Sequence, residues 1–169
     1  MRVGFGSLVL GLCFGLVIAS PLPITQLQPG SLCERDEKIV FNCTVGKQPK
    51  TISLCSSKRL TKEQGYLQYR FGLPGKIELE YPNERQRPQD AFKYSHYFRA
   101  QVDSTEISFT SNGYEYAIVD DYNGEEKPAQ HQQGITITPP NNGKAVTLNC
   151  TGRANAQYGD LAAVFPAPE

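Results

Sequence analysis

The chain has 169 residues and carries 17 basic and 17 acidic side chains, with five cysteines, two histidines and no tryptophan. A protein that follows nucleic-acid phosphates shows a basic excess, so this balance argues against a nucleic-acid partner. No long run of one charge sign occurs, so electrostatic binding to a membrane surface has no support either.

The N-terminus predicts an export signal. Met1-Arg2 precedes an apolar run over residues 3–18, and small residues close that run. The run is shorter than the roughly 20 residues of a membrane-spanning helix, and no later run reaches that length. We predict a signal peptide over 1–19, cleaved after Ala19, no transmembrane segment, and a secreted or periplasmic protein.

Composition divides the rest of the chain. Residues 20–31 are rich in Pro, Gln, Leu and Gly without periodicity, which predicts a flexible leader. Short β-type runs follow with no linker of domain-separating composition, which predicts one domain over 32–152. Residues 153–169 are assigned to a C-terminal tail.

Turn dipeptides separate the β-type runs. Asn112-Gly113, Asn123-Gly124 and Asn142-Gly143 suit the left-handed conformations of two-residue hairpin turns, and Pro74-Gly75 plays a similar part. Each is a candidate reversal between antiparallel strands. The prediction is an all-β fold, a single antiparallel meander of eight or nine strands that forms a barrel or sandwich stapled by disulfides.

Four cysteines follow the predicted signal peptide: Cys33, Cys43, Cys55 and Cys150. An even number in an exported chain indicates two disulfides, with three possible pairings. A zinc site is the competing interpretation. It is disfavoured because there is no Cys-x-x-Cys pair and the two histidines, His96 and His131, are isolated in sequence.

Strand parity selects one pairing, because alternate side chains of a strand point to opposite faces. Four residues of the first run share its apolar face: Ile39, Phe41, Cys43 and Val45. Cys150 lies on the apolar face of the last run, whereas Cys55 falls on the outer face of the second. We therefore predict that Cys43 pairs with Cys150 and that Cys33 pairs with Cys55.

Catalytic patterns are missing from the sequence. No Gly-x-Ser-x-Gly elbow occurs, and paired cysteines leave no free thiol. Five acids are the candidates for carboxylate chemistry: Glu78, Glu80, Asp103, Asp120 and Asp121. Glu78 and Glu80 are typical of a solvated strand face, and the acids around Asn123-Gly124 do not have EF-hand spacing. We predict no catalytic residue, no cofactor and no metal.

The densest aromatic stretch runs over residues 92–99. Tyr94 and His96 share one parity and Tyr97 and Arg99 the other, and tyrosine and arginine are favoured interface anchors. These four residues are candidate binding residues. A strand with one face in the core explains most of the same pattern, and the same two interpretations apply to Tyr66, Tyr69 and Arg70.

Asn42 and Asn149 each begin an Asn-Cys-Thr triplet and lie on the outward parity. The triplets match the N-glycosylation acceptor, which matters in a eukaryotic secretory pathway. Strand pairing around a disulfide is the alternative interpretation.

The phrases EKIVFNCTVGK, ISLCSSK, YLQYRFG, GKIELEYP, YSHYFRA and NGYEYAIVDDYNGEEKPA together resemble a family of exported bacterial β-rich proteins. The resemblance covers residues 31–152. It implies a periplasmic or extracellular bacterial setting and implies no particular activity.

The plan of the chain is also similar to that of periplasmic inhibitors of C-type lysozyme, with one cysteine near the first strand and one in the last. That family inserts a Ser-Gly-x-x-Tyr loop into its enzyme. The nearest match is Asn112 to Tyr116, with Asn112 in place of the serine. The resemblance implies Asn112, Tyr114 and Tyr116 as candidate binding residues.

The sequence favours an exported, non-enzymatic β-barrel that binds a protein or a small ligand in the bacterial envelope or outside it. An inhibitor of a hydrolase such as lysozyme is one alternative. A hydrolase of cell-wall or polysaccharide material is the other.

Overall fold

The computed structural model describes Met1 and residues 27–28, 30–141 and 143–165. The predicted signal peptide beyond Met1, residues 20–26 and Pro29 of the predicted leader, Asn142 and the last four residues lie outside the described residues.

Ten strands and one short helix make up the described fold. The elements are, in chain order, β1 (Glu37–Val45), β2 (Lys50–Ser57), β3 (Leu67–Leu73), β4 (Lys76–Tyr81), α1 (Pro88–Ala91), β5 (Lys93–Arg99), β6 (Val102–Ser111), β7 (Tyr114–Asn123), β8 (Gln130–Thr138), β9 (Val146–Asn149) and β10 (Asn155–Ala156). The first sheet has the order β10-β1-β2-β3-β4 and the second β5-β6-β7-β8-β9, and all pairings are antiparallel. The all-β prediction is confirmed. No helix in the described part is long and apolar enough to span a bilayer.

Two of the predicted hairpins form as expected. Asn112 and Gly113 join β6 to β7 with φ of 51° and 79°, the left-handed pair that a two-residue turn needs. Pro74 and Gly75 join β3 to β4 in the same two-residue manner, with Gly75 at φ 77°. Each of these turns fixes the register of its strand pair.

The prediction of a tight turn at Asn123-Gly124 is wrong. Asn123 ends β7, and β8 begins only at Gln130. Gly124 donates its N–H to the carbonyl of Gln101 at 2.7 Å, which ties this connection to the neighbouring β5–β6 turn. At the third Asn-Gly pair, β8 ends at Thr138 and β9 begins at Val146, so that connection is also longer than two residues.

Aromatic side chains fill the space between the sheets. Tyr69 and Tyr81 of the first sheet pack on Phe109 of the second, with ring centroids 4.9 and 4.5 Å apart. Tyr116 stacks on Phe109 and Phe92 meets it edge to face. Ile and Leu side chains from both sheets complete one continuous cluster. Tyr69 is therefore a core residue rather than a surface anchor.

Both predicted disulfides are present. Cys43 is bonded to Cys150 and Cys33 to Cys55. The first bond joins β1 to the end of β9, where Thr151 also donates its N–H to the carbonyl of Thr44 at 2.8 Å. The predicted parity is wrong at Ile39, and Val40 belongs to the core cluster instead. The register shifts between Ile39 and Phe41, so that Ile39 pairs with Cys55 on the outer face.

The residues before β1 (30–36), which we call the N-terminal segment, cover the outer face of the first sheet. Leu32 donates its N–H to the Ser53 hydroxyl at 2.9 Å. On the same face of the sheet, the Arg70 guanidinium donates to the Glu37 carboxylate at 2.6 Å. The side chain of Asn42 is engaged on this face too, donating to the carbonyl of Gly30 and accepting from Ser53. This face is therefore a second packed layer, and Arg70 is buried in it.

The packed domain extends past residue 152, into the predicted tail. β10 pairs with β1, and the segment after it buries Leu161, Val164 and Phe165 in the core cluster. Ala154 is tied down as well, because its N–H donates to the Gln133 side chain at 2.9 Å. This C-terminal segment reaches the second sheet and forms part of the site described next.

Candidate functional site

The core face of the second sheet becomes polar at one end. Ile107, Ile118 and Ile135 lie opposite one another in the buried part. Two residues further along each strand, the side chains on the same face are mostly polar instead of aliphatic. One row across four strands consists of His96, Thr105, Asp120 and Gln133, and the next row consists of Phe98, Asp103, Tyr122 and His131.

Both histidines of the chain lie in these two rows, and each is paired with an aspartate. His96 Nε2 lies 2.9 Å from Asp103 Oδ1, and His131 Nε2 lies 2.7 Å from Asp120 Oδ1. A carboxylate only accepts, so each Nε2 carries the donated proton. The aspartates thus fix the orientation of both rings.

Asp120 is the most heavily bonded group of the site. Its Oδ2 accepts from Gln133 Nε2 at 3.0 Å and from Tyr158 Oη at 3.1 Å, in addition to the bond with His131. Burial, followed by the charge of Asp120, raises the pKa of Tyr158 well above its ordinary value. Burial, followed by the charge of Asp103, raises the pKa of Tyr94. Both phenols are therefore neutral donors at neutral pH.

The C-terminal segment forms one wall above these rows. Together they enclose a groove of about 670 Å³, which we call the polar groove. Its lining comprises Tyr94, His96, Asp103, Thr105, Asp120, Tyr122, His131, Gln133, Arg153, Ala154, Asn155, Ala156, Tyr158, Gly159 and Ala162. Its volume is in the range of small-molecule sites.

A second depression of about 850 Å³ adjoins the polar groove. The two share Tyr122, His131, Gln133 and Arg153, and the second continues to Asn149 and Cys150. The accessible surface therefore runs across the sheet from β5 to the Cys43–Cys150 disulfide.

The structure places two of the predicted binding residues, Tyr94 and His96, in the polar groove. Tyr97 and Arg99 lie on the opposite face of β5, where Arg99 forms an ion pair with Glu125. The parity split along this strand is thus as predicted. The alternative interpretation, a strand with one face in the core, holds for Tyr94, which packs on Phe165 with ring centroids 5.5 Å apart.

The other predicted binding residues lie at the far end of the second sheet. Asn112 forms the β6–β7 turn, Tyr114 follows it with 40% of its surface exposed, and Tyr116 is stacked on Phe109. The polar groove lies at the opposite end of the same two strands. The hairpin and the groove are therefore two separate surfaces.

The five acids considered for carboxylate chemistry are also separated. Asp103 and Asp120 line the polar groove. Asp121 is on the opposite face, where it accepts from Ser104. Glu78 and Glu80 belong to the first sheet and pair with Lys50 and Arg70.

Sequence reasoning missed the remaining groove residues, chiefly Tyr122, His131, Gln133, Arg153 and Tyr158. A signal for some of them was available. The two-residue Asn112-Gly113 turn places Thr105 opposite Asp120 and Asp103 opposite Tyr122. No comparable signal existed for Arg153 and Tyr158, because their position depends on where the C-terminal segment packs.

One group of potential metal ligands lies elsewhere in the described residues. Cys33, Glu37 and Cys55 have ligand atoms within 4.8 Å of one another. The two sulfurs are joined in a disulfide and Glu37 is bonded to Arg70, so these atoms are already engaged.

Comparison of the chain with models of protein families, with curated proteins and with solved structures found no match. Function is therefore inferred from the groove's own residues.

Proposed function

We propose that the protein is an exported, non-enzymatic binding module and that the polar groove is its ligand site. One observation carries this proposal. The core face of the second sheet continues into an open groove lined by ordered polar and aromatic side chains. Concave sites with a few fixed polar groups and aromatic walls are the usual form of a ligand pocket.

The polar groups of the groove are preorganised by hydrogen bonds within the protein. The Asp120 carboxylate is fixed by His131, Gln133 and Tyr158, and the wall is fixed by the bond from Ala154 to Gln133. Because these groups are already ordered, a ligand does not have to immobilise them on binding.

The setting of this module is an oxidising compartment, since two disulfides are typical of exported proteins. We assign it to the periplasm or the cell exterior of a bacterium, in keeping with the resemblance to exported bacterial β-rich proteins. The two sheets are then the halves of a flattened barrel, joined on one side by the Cys43–Cys150 bond and filled with aromatic side chains. Ligands bind at its polar end, outside the packed interior.

A hydrolase is the second candidate, and one observation favours it. Asp103 and Asp120 share a groove, and each is paired with a histidine. Carboxylates on either side of a cleft are the machinery of glycoside hydrolysis. Binding is preferred because Asp120 already accepts three hydrogen bonds, which engage both of its carboxylate oxygens.

The test is cosedimentation of the folded protein with purified peptidoglycan sacculi and with outer-membrane vesicles, for the wild type and for Tyr122→Ala. We expect the wild type to sediment with one of these materials and Tyr122→Ala to stay in the supernatant. No soluble reducing ends are expected to appear. The matched variant is Tyr114→Ala, since both tyrosines lie on β7, one 41% and the other 40% exposed.

Three results would contradict the proposal. Equal sedimentation of Tyr122→Ala and the wild type would remove the groove as the site. Loss of binding in Tyr114→Ala alone would move the site to the β6–β7 hairpin, as an inhibitor of a hydrolase requires. Release of sugar that stops in Asp103→Asn or Asp120→Asn would identify a hydrolase.

A further inference from the structure

We infer that the ligand of the polar groove is a linear, neutral oligosaccharide. The inference rests on the proposed function, since it names the class of ligand for the same groove. Four features of the lining support it: exposed aromatic rings, exposed hydrogen-bonding groups, nearly balanced charge and an elongated shape.

Two exposed aromatic rings lie along the groove: Tyr122 in its lining, and Phe98 beside the lining on the edge strand β5. Phe98 is 74% exposed and Tyr122 is 41% exposed, and they belong to the same row with Asp103 between them. Each of these rings lies beside a histidine. Phe98 is stacked on His96 at 6.1 Å, and Tyr122 meets His131 edge-on at 5.8 Å. Such rings offer flat apolar surfaces to the C–H faces of a sugar ring, with the polar edge of tyrosine beside its hydroxyls.

Between the rings lie groups that bind hydroxyls. The side chain of Asp103 is 61% exposed and meets His96 through Oδ1, so its second oxygen faces solvent. Bonds from hydroxyls to carboxylates are short and strong. Each histidine bonds its aspartate through Nε2, which leaves Nδ1 available to a ligand hydroxyl, itself both a donor and an acceptor. Arg153 and Asn155 add donors on the facing wall.

The charge of the lining disfavours strongly charged ligands. The carboxylates of Asp103 and Asp120, each bonded to a histidine, share the lining with the single guanidinium of Arg153. A phosphorylated or sulfated ligand would meet the two carboxylates, and a polycation would meet the guanidinium. A neutral molecule with many hydroxyl groups satisfies both kinds of group without repulsion.

The shape of the surface favours an extended ligand. Phe98 and Tyr122 lie two strands apart, about 10 Å at the usual strand spacing. Beyond Tyr122 the surface continues into the adjoining depression toward Asn149. A ligand that uses both rings and the depression is therefore a chain of several units rather than a single sugar.

The test is a titration of the ¹⁵N-labelled, disulfide-intact protein with the β-1,4-linked tetrasaccharides of N-acetylglucosamine, glucose and xylose. Tetra-alanine serves as a neutral peptide comparator. We expect at least one tetrasaccharide to shift the amide signals of the groove strands, and tetra-alanine to leave them in place. Tyr122→Ala should weaken the apparent affinity about tenfold through the lost ring contact.

Asp103→Asn is the second variant, since this exposed side chain is replaced at nearly constant size. It should also weaken oligosaccharide binding. The matched control is Glu106→Gln, the same acid-to-amide change on the outer face of β6. That variant should bind as the wild type does, and equal weakening in both would overturn the inference.

The inference also fails if no tetrasaccharide moves the groove signals at about 5 mM, a concentration that detects even millimolar affinity. The sedimentation experiment then separates the two claims. Groove-dependent binding of envelope material without oligosaccharide binding would leave the binding module standing and remove only its ligand class. If the groove binds neither envelope material nor oligosaccharides, the proposed function fails as well.

Discussion

Arg70 shows how one buried charge organises the outer layer of the first sheet. Its side chain is 5% exposed, and Glu37, which it meets at 2.6 Å, is fully buried. Glu80 pairs with its Nε at 2.8 Å from the neighbouring strand. Burial alone would lower the pKa of Arg70, but its bonds to Glu37 and Glu80 outweigh burial and raise that pKa. The guanidinium is thus charged and compensated, and it holds the N-terminal segment against the sheet.

Tyr66 belongs to the same network and titrates in the alkaline range. Its hydroxyl donates to Glu37 at 3.1 Å, and Arg85 lies over its ring at 4.3 Å. Burial, then the charge of Glu37, raises the pKa of Tyr66 from its ordinary value near 10 to about 12, although Arg85 acts in the opposite direction. The stability that this tyrosine contributes is therefore fully present below pH 10 and is lost as the pH rises toward 12.

We predict that Tyr66→Phe flattens the alkaline loss of stability. Near pH 8 the variant should lose about 1 kcal/mol, the value of one hydrogen bond. The difference between wild type and variant should shrink as the pH rises from 10 toward 12, because only the wild type then loses its Tyr66 contribution. Denaturant unfolding at a series of pH values measures this, with Tyr114→Phe on the exposed hairpin as the control. A difference that does not change with pH would contradict the role assigned to Tyr66.

At the scale of the elements, β9 is held against β8 by a close backbone approach. Gly134 of β8 lies opposite Asn149, the residue before Cys150. A Cβ at this position would lie 2.2 Å from the carbonyl oxygen of Leu148, and backbone cannot move aside as a flexible side chain can. The absent side chain thus lets β9 lie where the Cys43–Cys150 bond can form.

We predict that Gly134→Ala destabilises the domain by about 1 to 3 kcal/mol, the usual cost of overpacking. The matched control is Gly152→Ala, because a Cβ there would have no heavy atom within 4 Å. The midpoint of denaturant unfolding measures both changes. Equal stability of the two variants would show that β9 shifts at no cost.

Strand parity and turn chemistry predicted much of the fold because both are local. Parity alone paired Cys43 with Cys150, and the two-residue turns at Asn112 and Pro74 fixed two registers. The bulge beside Ile39 and the long connection after Asn123 were not predictable, since each depends on partners distant in sequence.

The candidate site was predictable only in part, for the same reason. Tyr94 and His96 stood out by composition within one strand. Their bonded neighbours come from other strands, and Arg153 and Tyr158 come from a segment without a periodic pattern. Sequence can place a residue on a face of its own strand. It cannot place two distant elements over the same end of a sheet.

At the scale of the whole molecule, the two disulfides close loops of very different length. Cys43 and Cys150 are 107 residues apart, whereas Cys33 and Cys55 are 22 apart. On the chain-entropy account, closing the longer loop stabilises the fold by about 4.8 kcal/mol and closing the shorter by about 3.4 kcal/mol. The longer bond also restricts the whole span from β1 to β9, and the shorter one only the N-terminal layer.

We predict that Cys43→Ala/Cys150→Ala loses more stability than Cys33→Ala/Cys55→Ala, by about 1 to 2 kcal/mol. Guanidinium unfolding of the two double variants and the wild type measures the difference. The reason is the denatured chain, which gains more freedom when the longer loop opens. Because Cys33 and Cys55 are both fully buried, replacing them also leaves a small void. This added cost reduces the difference in stability between the two double variants. A larger loss in Cys33→Ala/Cys55→Ala would mean that packing of the N-terminal layer, and not loop closure, dominates the stability of this domain.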